Sequence, residues 1–302
     1  MSPVVRPVVF GEVLFDVFPG GQRVLGGAPF NVAWHLKGFG FDPLFLSRIG
    51  MDPEGDLILE KMSCWGMNVS GVQRDPLHPT GRVEVAIRDG EPSFTISPDQ
   101  AYDFVEFHSI RRLLKNINAS VLYNGTLALR HTTSEQALIC IQDLLQATVF
   151  VDFNLRAPWW TNEIVEKQLK RARWAKMNES ELHLISEERV SGKDSIERAC
   201  RLRERYELDG LIVTMGTNGA RIHLSDGQTY SKKPESIEIE DTVGAGDAFS
   251  AVFLAGQIHG WPPEVSLERA IEFASAVCGI RGAVAEDPAF YSPFRERWFS
   301  DT

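Results

Sequence analysis

The chain has 302 residues, 43% of them hydrophobic, and a formal net charge of -10. That length suits one large α/β domain or two smaller ones with a sizeable core, and the acidic balance argues against nucleic acid or an anionic membrane as partner, because counterion release needs clustered Lys and Arg. Four cysteines without CxxC spacing, histidines never within five residues of one another, no signal-like N-terminus and no long apolar run exclude a local zinc motif, a disulfide framework and a membrane span, and point to a soluble protein of the reducing cytoplasm.

In chain order, apolar runs rich in β-branched residues predict strands at 4–10, 44–49, 121–123, 148–153, 174–177 and 211–214. Between them, periodic patterns predict helices at about 28–40, 53–65, 132–147, 162–171 and 194–206. This βαβ alternation implies a mostly parallel sheet with helices on its faces. Two regions break the order: 14–25 around Pro19-Gly-Gly21, and 69–96, where Arg82-Val-Glu-Val-Ala-Ile-Arg88 alternates before an Asp89-Gly90 turn. They read as hairpins. Hairpins without helices do not join a helix-covered sheet comfortably, so a small antiparallel lid over the strand ends is expected, formed by approximately 12–26 and 68–98. With no linker, repeat or low-complexity segment, residues 1–302 read as one unit.

Asp241-Thr-Val-Gly-Ala-Gly-Asp-Ala-Phe249 carries the most chemistry. Residues 248–259 are apolar enough for a buried helix, stopped by Gly260-Trp-Pro-Pro263, which puts Asp247 in its first turn. Free backbone N–H groups and the helix dipole favour an anion there, and Gly244 and Gly246 let donors approach it closely. An acidic residue serving the dipole of an ordinary helix start is the alternative. A P-loop is excluded because no Lys-Ser/Thr is present, and a dinucleotide fingerprint because Phe249 stands where its third glycine belongs.

Other segments admit two readings each. Asn178-Glu-Ser-Glu181 has the spacing of a capping box. Asp16, inside Val13-Leu-Phe-Asp-Val-Phe18, is either a carboxylate held by hydrogen bonds or a water-facing residue of a lid strand. Thr214, Gly216 and Gly219 lie at the end of a strand where α/β sheets bind ligands, or simply in a tight turn. Arg156 follows a strand end and is a plausible cation for phosphate or sugar.

Taken together, Gly11-Glu-Val-Leu-Phe-Asp16, Gly26-Gly-Ala-Pro-Phe-Asn-Val-Ala33, Ser47-Arg-Ile-Gly50, Asp152-Phe-Asn-Leu-Arg156, Asn178 to Glu181, Thr214 to Gly219 and Asp241 to Phe249 resemble, in order and over nearly the whole length, the ribokinase-like carbohydrate kinases of the PfkB family. The resemblance implies a three-layer α/β/α sandwich with a β lid that closes over substrate and excludes water, ATP and Mg²⁺ as cofactors, and a sugar as acceptor. It implies that Asp247 is the base, with the backbone of Gly244, Ala245 and Gly246 as anion hole and Arg156 beside it. Asp16, Gly27 and Asn31 match sugar-contacting positions, and Asn178, Thr214, Gly216 and Gly219 match nucleotide-side positions. Glu181 matches a residue that organises Mg²⁺ through water, and Asp241 and Val243 lie in a region that in many relatives binds K⁺. Relatives occur as monomers or as homodimers joined through the lid.

Several segments, Ala101-Tyr-Asp-Phe104 among them, look most like fructokinases, which implies fructose 6-phosphate as product. Phe153 stands where such enzymes usually have proline, and Val243 replaces a common threonine. Another sugar, 2-keto-3-deoxygluconate or a nucleoside is the alternative acceptor. A sugar acid would call for a cation such as Arg82, Arg88 or Arg156. A non-catalytic sugar-binding or regulatory protein on the same fold is the alternative of another class, against which the intact Asp247 and Gly244 turn count.

Overall fold

A computed structural model of the chain describes residues 5–299 apart from 89–90, 188 and 236–238. The expected Asp89-Gly90 turn lies outside the described residues. Strand β1 (Val5–Phe10) leads into β2 (Leu14–Val17) and β3 (Arg23–Gly26), followed by α1 (Ala28–Gly38), β4 (Leu44–Gly50), α2 (Pro53–Cys64) and β5 (Val72–Asp75). The pair β6 (Gly81–Arg88) and β7 (Glu91–Ile96) precedes α3 (Phe107–Leu114), β8 (Asn118–Asn124), α4 (Thr132–Leu145), β9 (Thr148–Asp152), α5 (Asn162–Arg171) and β10 (Trp174–Asn178). Then come α6 (Glu179–Glu187), α7 (Ser195–Arg205), β11 (Gly210–Thr214), β12 (Ala220–Leu224), β13 (Thr229–Lys232), α8 (Ala245–His259), α9 (Pro263–Cys278) and α10 (Ser292–Phe299).

Among the described residues the large sheet has the order β13-β12-β11-β10-β9-β8-β1-β4-β5. From β5 to β11 every pair is parallel, and β12 and β13 add an antiparallel edge. Central strands bury both faces, which is why they read as continuous apolar runs. One side packs on α1, α8 and α9, and the other on the helices between β8 and β11. Helix α8 is buried from Ala248 to Gly256, as its apolar sequence demands. No helix among the described residues is long and apolar enough to cross a membrane.

The small sheet has the order β3-β2-β6-β7. Its outer pairs are antiparallel, while the central β2–β6 pair is parallel, because two separate excursions from the main sheet meet there running in the same direction. Residues 72–75, read from sequence within the second hairpin region, instead extend the main sheet beside β4. Val-Gln-Arg-Asp has no apolar alternation to mark its sheet, and in the fold its buried Asp75 carboxylate meets Arg48 of β4 at 2.7 Å.

Candidate active site

The N-termini of α1 and α8 meet above the carboxyl ends of β1, β8 and β9. Gly27, with φ 110°, caps α1, and a Cβ there would stand 2.7 Å from the Glu12 carbonyl. The chain leaving β1 therefore crosses the helix mouth in direct backbone contact. Gly244, with φ 79°, caps α8, where a Cβ would come within 2.5 Å of Ala283. α8 begins at Ala245, one turn before the apolar run predicted, and Asp247 lies in its first turn.

Because α1 and α8 pack together, the Asn31 amide donates to the Asp247 carboxyl at 2.8 Å across 216 residues of sequence. Asp247 is half-buried. Desolvation pushes its pKa up to about 6, with a further push from Asp152, while the Asn31 hydrogen bond, Lys176 and Arg156 pull it down. Its carboxyl therefore takes up a proton more readily than an ordinary aspartate does.

Beneath the glycine turn lies a network that the sequence reading did not identify as part of the site. Lys176 Nζ donates to Asp152 Oδ2 at 2.6 Å, and both side chains are buried. The Tyr123 hydroxyl stands 3.3 Å from the same oxygen, and the Ser250 hydroxyl lies 2.9 Å from it and 3.0 Å from the Gly246 carbonyl. A Cβ on Gly246 would be 3.5 Å from the ammonium of Lys176. A fixed positive charge thus backs a turn already suited to anions. Lys176 within Trp-Ala-Lys-Met and Asp152 ending Val-Phe-Val were visible as charges in apolar runs, but their partnership depends on the register of β9 with β10.

Asp16 lies on β2 opposite Val24 and Val83. Burial pushes its pKa up to about 6, and the charge of Arg156 opposes the shift. Arg156 is exposed, and its field also reaches Asp247 and Glu12. Glu12, another residue not singled out from sequence, is 4% exposed. Arg82 is engaged by Glu54 at 3.3 Å and Glu84 at 3.7 Å. The Arg88 side chain lies outside what the structure describes.

On the neighbouring strands, the capping box is formed. Glu181 N–H donates to Asn178 Oδ1 at 2.9 Å, and Asn178 N–H donates back to Glu181 Oε2 at 2.8 Å. Leu155 N–H donates to Glu181 Oε1 at 2.7 Å. Burial pushes the Glu181 pKa up, against the bonds from Asn178 and Leu155. With both oxygens occupied and 8% exposure, this carboxylate suits a hydrated cation better than an inner-shell contact. Thr214 pairs in register with Asn178 at the end of β11. Gly216 and Gly219 close a turn through Gly219 N–H to Gly216 O at 2.9 Å and Met215 N–H to Gly219 O at 2.8 Å. Gly216 is exposed, whereas Gly219 packs against the backbone of Lys232. Asp241 Oδ1 accepts from Val243 N–H at 3.0 Å and Oδ2 from Gly282 N–H at 3.1 Å, which stitches the loop before α8 to the segment after α9. The Val243 side chain is exposed.

The model of the pfkB family carbohydrate kinases matches residues 17–289. The chain is 29% identical to a fructokinase of Escherichia coli over 97% of its own length and 98% of that protein's. It superposes with a TM-score of 0.79 and 21% identity on a fructokinase double mutant of Vibrio cholerae solved in its fructose, ADP and potassium ion bound form, covering 97% of this chain and 99% of that one. An aminoimidazole riboside kinase of Salmonella enterica, complexed with aminoimidazole riboside and an ATP analog, matches with a TM-score of 0.79 and 20% identity over 96% and 99% of the two chains.

Proposed function

The chain belongs to the pfkB family of carbohydrate kinases, and from that premise we propose that it transfers the γ-phosphoryl group of ATP to a hydroxyl of a neutral sugar, with fructose, giving fructose 6-phosphate, the leading acceptor. The observation that carries this reading is the Asp247 carboxyl, half-buried in the first turn of α8 and oriented by Asn31 at 2.8 Å beside the Gly244 to Gly246 turn.

In the proposed step the acceptor oxygen forms a bond to the γ-phosphorus, the bond from that phosphorus to the bridging oxygen breaks, and ADP leaves. The hydroxyl proton passes to the ionised Asp247. A loose transition state asks mainly for alignment and late proton acceptance, so a weak, well-oriented carboxylate suffices. Backbone N–H groups of the 244–247 turn and the Lys176 charge behind Gly246 favour the charge on the transferring group. Asp16, Gly27 and Asn31 would hold the sugar. Thr214, Gly216 and Gly219 would lie along the nucleotide, and Arg156 would bridge the two substrates. Mg²⁺, when bound, neutralises phosphate charge. Asn178 and Glu181 would hold it through water, as their engaged polar atoms suit. The Asp241 to Val243 loop would take K⁺ through oxygen atoms. The small sheet would act as a lid that excludes water from the transferring phosphoryl.

Charge favours a neutral acceptor over a sugar acid. Asp16, Glu12 and Asp247 surround the site, Arg156 is the cation whose field reaches all three, and Arg82 is engaged by Glu54 and Glu84. The test is ADP release with Mg²⁺, with and without K⁺, across fructose, ribose, other hexoses, 2-keto-3-deoxygluconate, adenosine and inosine. Fructose should give the highest kcat/KM. A different neutral winner replaces the substrate and keeps the mechanism, whereas preference for 2-keto-3-deoxygluconate overturns the charge argument.

A further inference from the structure

Two buried polar side chains beside the acceptor site have no part in the reaction as written. Arg130 ends the short helical turn Leu127–Arg130 that follows β8, and Tyr102 belongs to the turn Ala101–Phe104 that follows β7. Arg130 is 5% exposed and Tyr102 0%. The guanidinium donates through Nε and Nη2 to the two oxygens of Asp103, each at 2.7 Å, and through Nη2 to the Ser97 carbonyl at 2.7 Å. Its carbon lies 4.3 Å from the ring centre of Trp159 and 5.2 Å from that of Tyr102. Arg130 Nη1 and the Tyr102 hydroxyl are left without a hydrogen-bond partner among the described residues. Buried donors in that condition are costly unless something bonds them.

Several contacts put the pair on the acceptor side. Alternate residues of a strand share a face, so Leu14 and Asp16 of β2 present the same face of the small sheet. Tyr102 packs on that face. It shares an apolar cluster with Leu14 and with Val83, the register partner of Asp16, and a Cβ on Gly81 would stand 2.8 Å from both Leu14 Cβ and Tyr102 Cε1. Further along the face, a Cβ on Gly26 would stand 3.5 Å from Asp16 Oδ2, next to the glycine that caps α1. Trp159, against which Arg130 stacks, donates its N–H to the Arg156 carbonyl at 2.7 Å. Gly125, where the chain leaves β8 toward Arg130, lies against the first turn of α1, since a Cβ there would be 3.7 Å from Pro29 Cγ.

We propose that Arg130 and Tyr102 determine acceptor specificity, Nη1 and the phenol donating hydrogen bonds to the sugar oxygen furthest from the hydroxyl that is phosphorylated. The inference rests on the kinase reading given above and extends it from the reacting end of the acceptor to the far end. Asn31 serves the reacting end, where its amide donates to Asp247 and its Oδ1 is also unpartnered. A polyol suits both ends, because each hydroxyl accepts as well as donates. Asp103 is the positioning residue of this subsite. It holds Nε and Nη2 and balances the guanidinium charge, so the remaining donor fits a neutral oxygen better than a carboxylate. Burial pushes the Tyr102 pKa above its usual range, with Arg130 opposing, and the phenol keeps the proton it donates.

The experiment measures kcat and KM for fructose and for 1-deoxyfructose in the wild type and in Tyr102→Phe. If another acceptor wins the screen, its analogue without the far oxygen replaces 1-deoxyfructose. Removing that oxygen strands two buried donors in the wild type, so kcat/KM should fall by about 100-fold. Tyr102→Phe should lose about tenfold on fructose, chiefly through the acceptor KM rather than the ATP KM, and should narrow the discrimination to about tenfold. A wild type that handles both sugars within about threefold overturns the proposal. So does a Tyr102→Phe variant with lower Tm and unchanged discrimination, the mark of a phenol that only packs. If that variant fails to fold, Arg130→Lys decides, since lysine keeps the charge beside Asp103 without the second arm of the fork. The same narrowing is expected there, and unchanged discrimination overturns the proposal. A wild type that phosphorylates no acceptor defeats the kinase reading itself, a result distinct from turnover without discrimination.

Discussion

Two helices in this protein carry an acidic residue in the first turn beside a strand end, and they use it differently. In α6, Glu181 is satisfied by backbone donors, the N–H of Asn178 at its own helix start and the N–H of Leu155 from the segment after β9. In α8, Asp247 is held by a side chain from another helix, Asn31, and stands among Asp152, Lys176 and Arg156. Desolvation raises both pKa values. The difference lies in what each carboxyl has left to do. Glu181 is occupied at both oxygens by backbone donors, an arrangement that fixes a helix start and leaves an outer-shell role to a cation. Asp247 is partly open, and the pKa that burial pushes up suits the proton acceptance proposed for it.

The contrast is broken most severely at Asp247. Asp247→Ala should lower kcat by about 10²–10⁴-fold while ATP and sugar still bind, measured by steady-state kinetics with calorimetric titration. A variant within threefold of wild type would reduce Asp247 to the same helix-start role as Glu181. Beneath the turn, Lys176→Met leaves the Asp152 carboxylate buried without its cation, and should cost about 3–5 kcal/mol, read as a lower urea midpoint. Adding Asp152→Asn should recover much of the stability but not the activity, because the charge behind Gly246 is gone. Recovery of both would make the pair purely structural. The smallest effect is expected at the other helix. Asn178→Ala should cost about 1 kcal/mol through the lost cap, and raise the Mg²⁺ concentration needed for half-maximal rate by roughly tenfold. A fall in Tm with unchanged Mg²⁺ dependence would leave α6 with a cap alone.

Much of this was legible along the chain. The βαβ alternation, the break into non-helical segments and the placing of Asp247 in a first turn follow from local periodicity and stop signals, which act over a few residues. The sequence reading does not find helices α3, α9 and α10 or strands β12 and β13, and it puts β5 in the wrong sheet, because a four-residue strand carries no label of its partner. Phe153 illustrates the same limit. The fructokinase resemblance singles it out as a position expected to be proline, yet in the fold it is simply buried, and its carbonyl accepts from the Thr126 hydroxyl at 2.6 Å.

By itself the sequence determined the layered α/β class, the family resemblance and the residue types that a phosphoryl-transfer site requires, since these depend on composition, spacing and local turns. Only the tertiary structure decided that Asn31 would orient Asp247, that Lys176 would sit under Gly246 and that Glu12 would be buried within reach of the same charges. Those pairings join residues far apart in the chain, and they exist because parallel strands in register and two packed helices bring their ends to one place, where burial rather than residue type sets the charge each group carries.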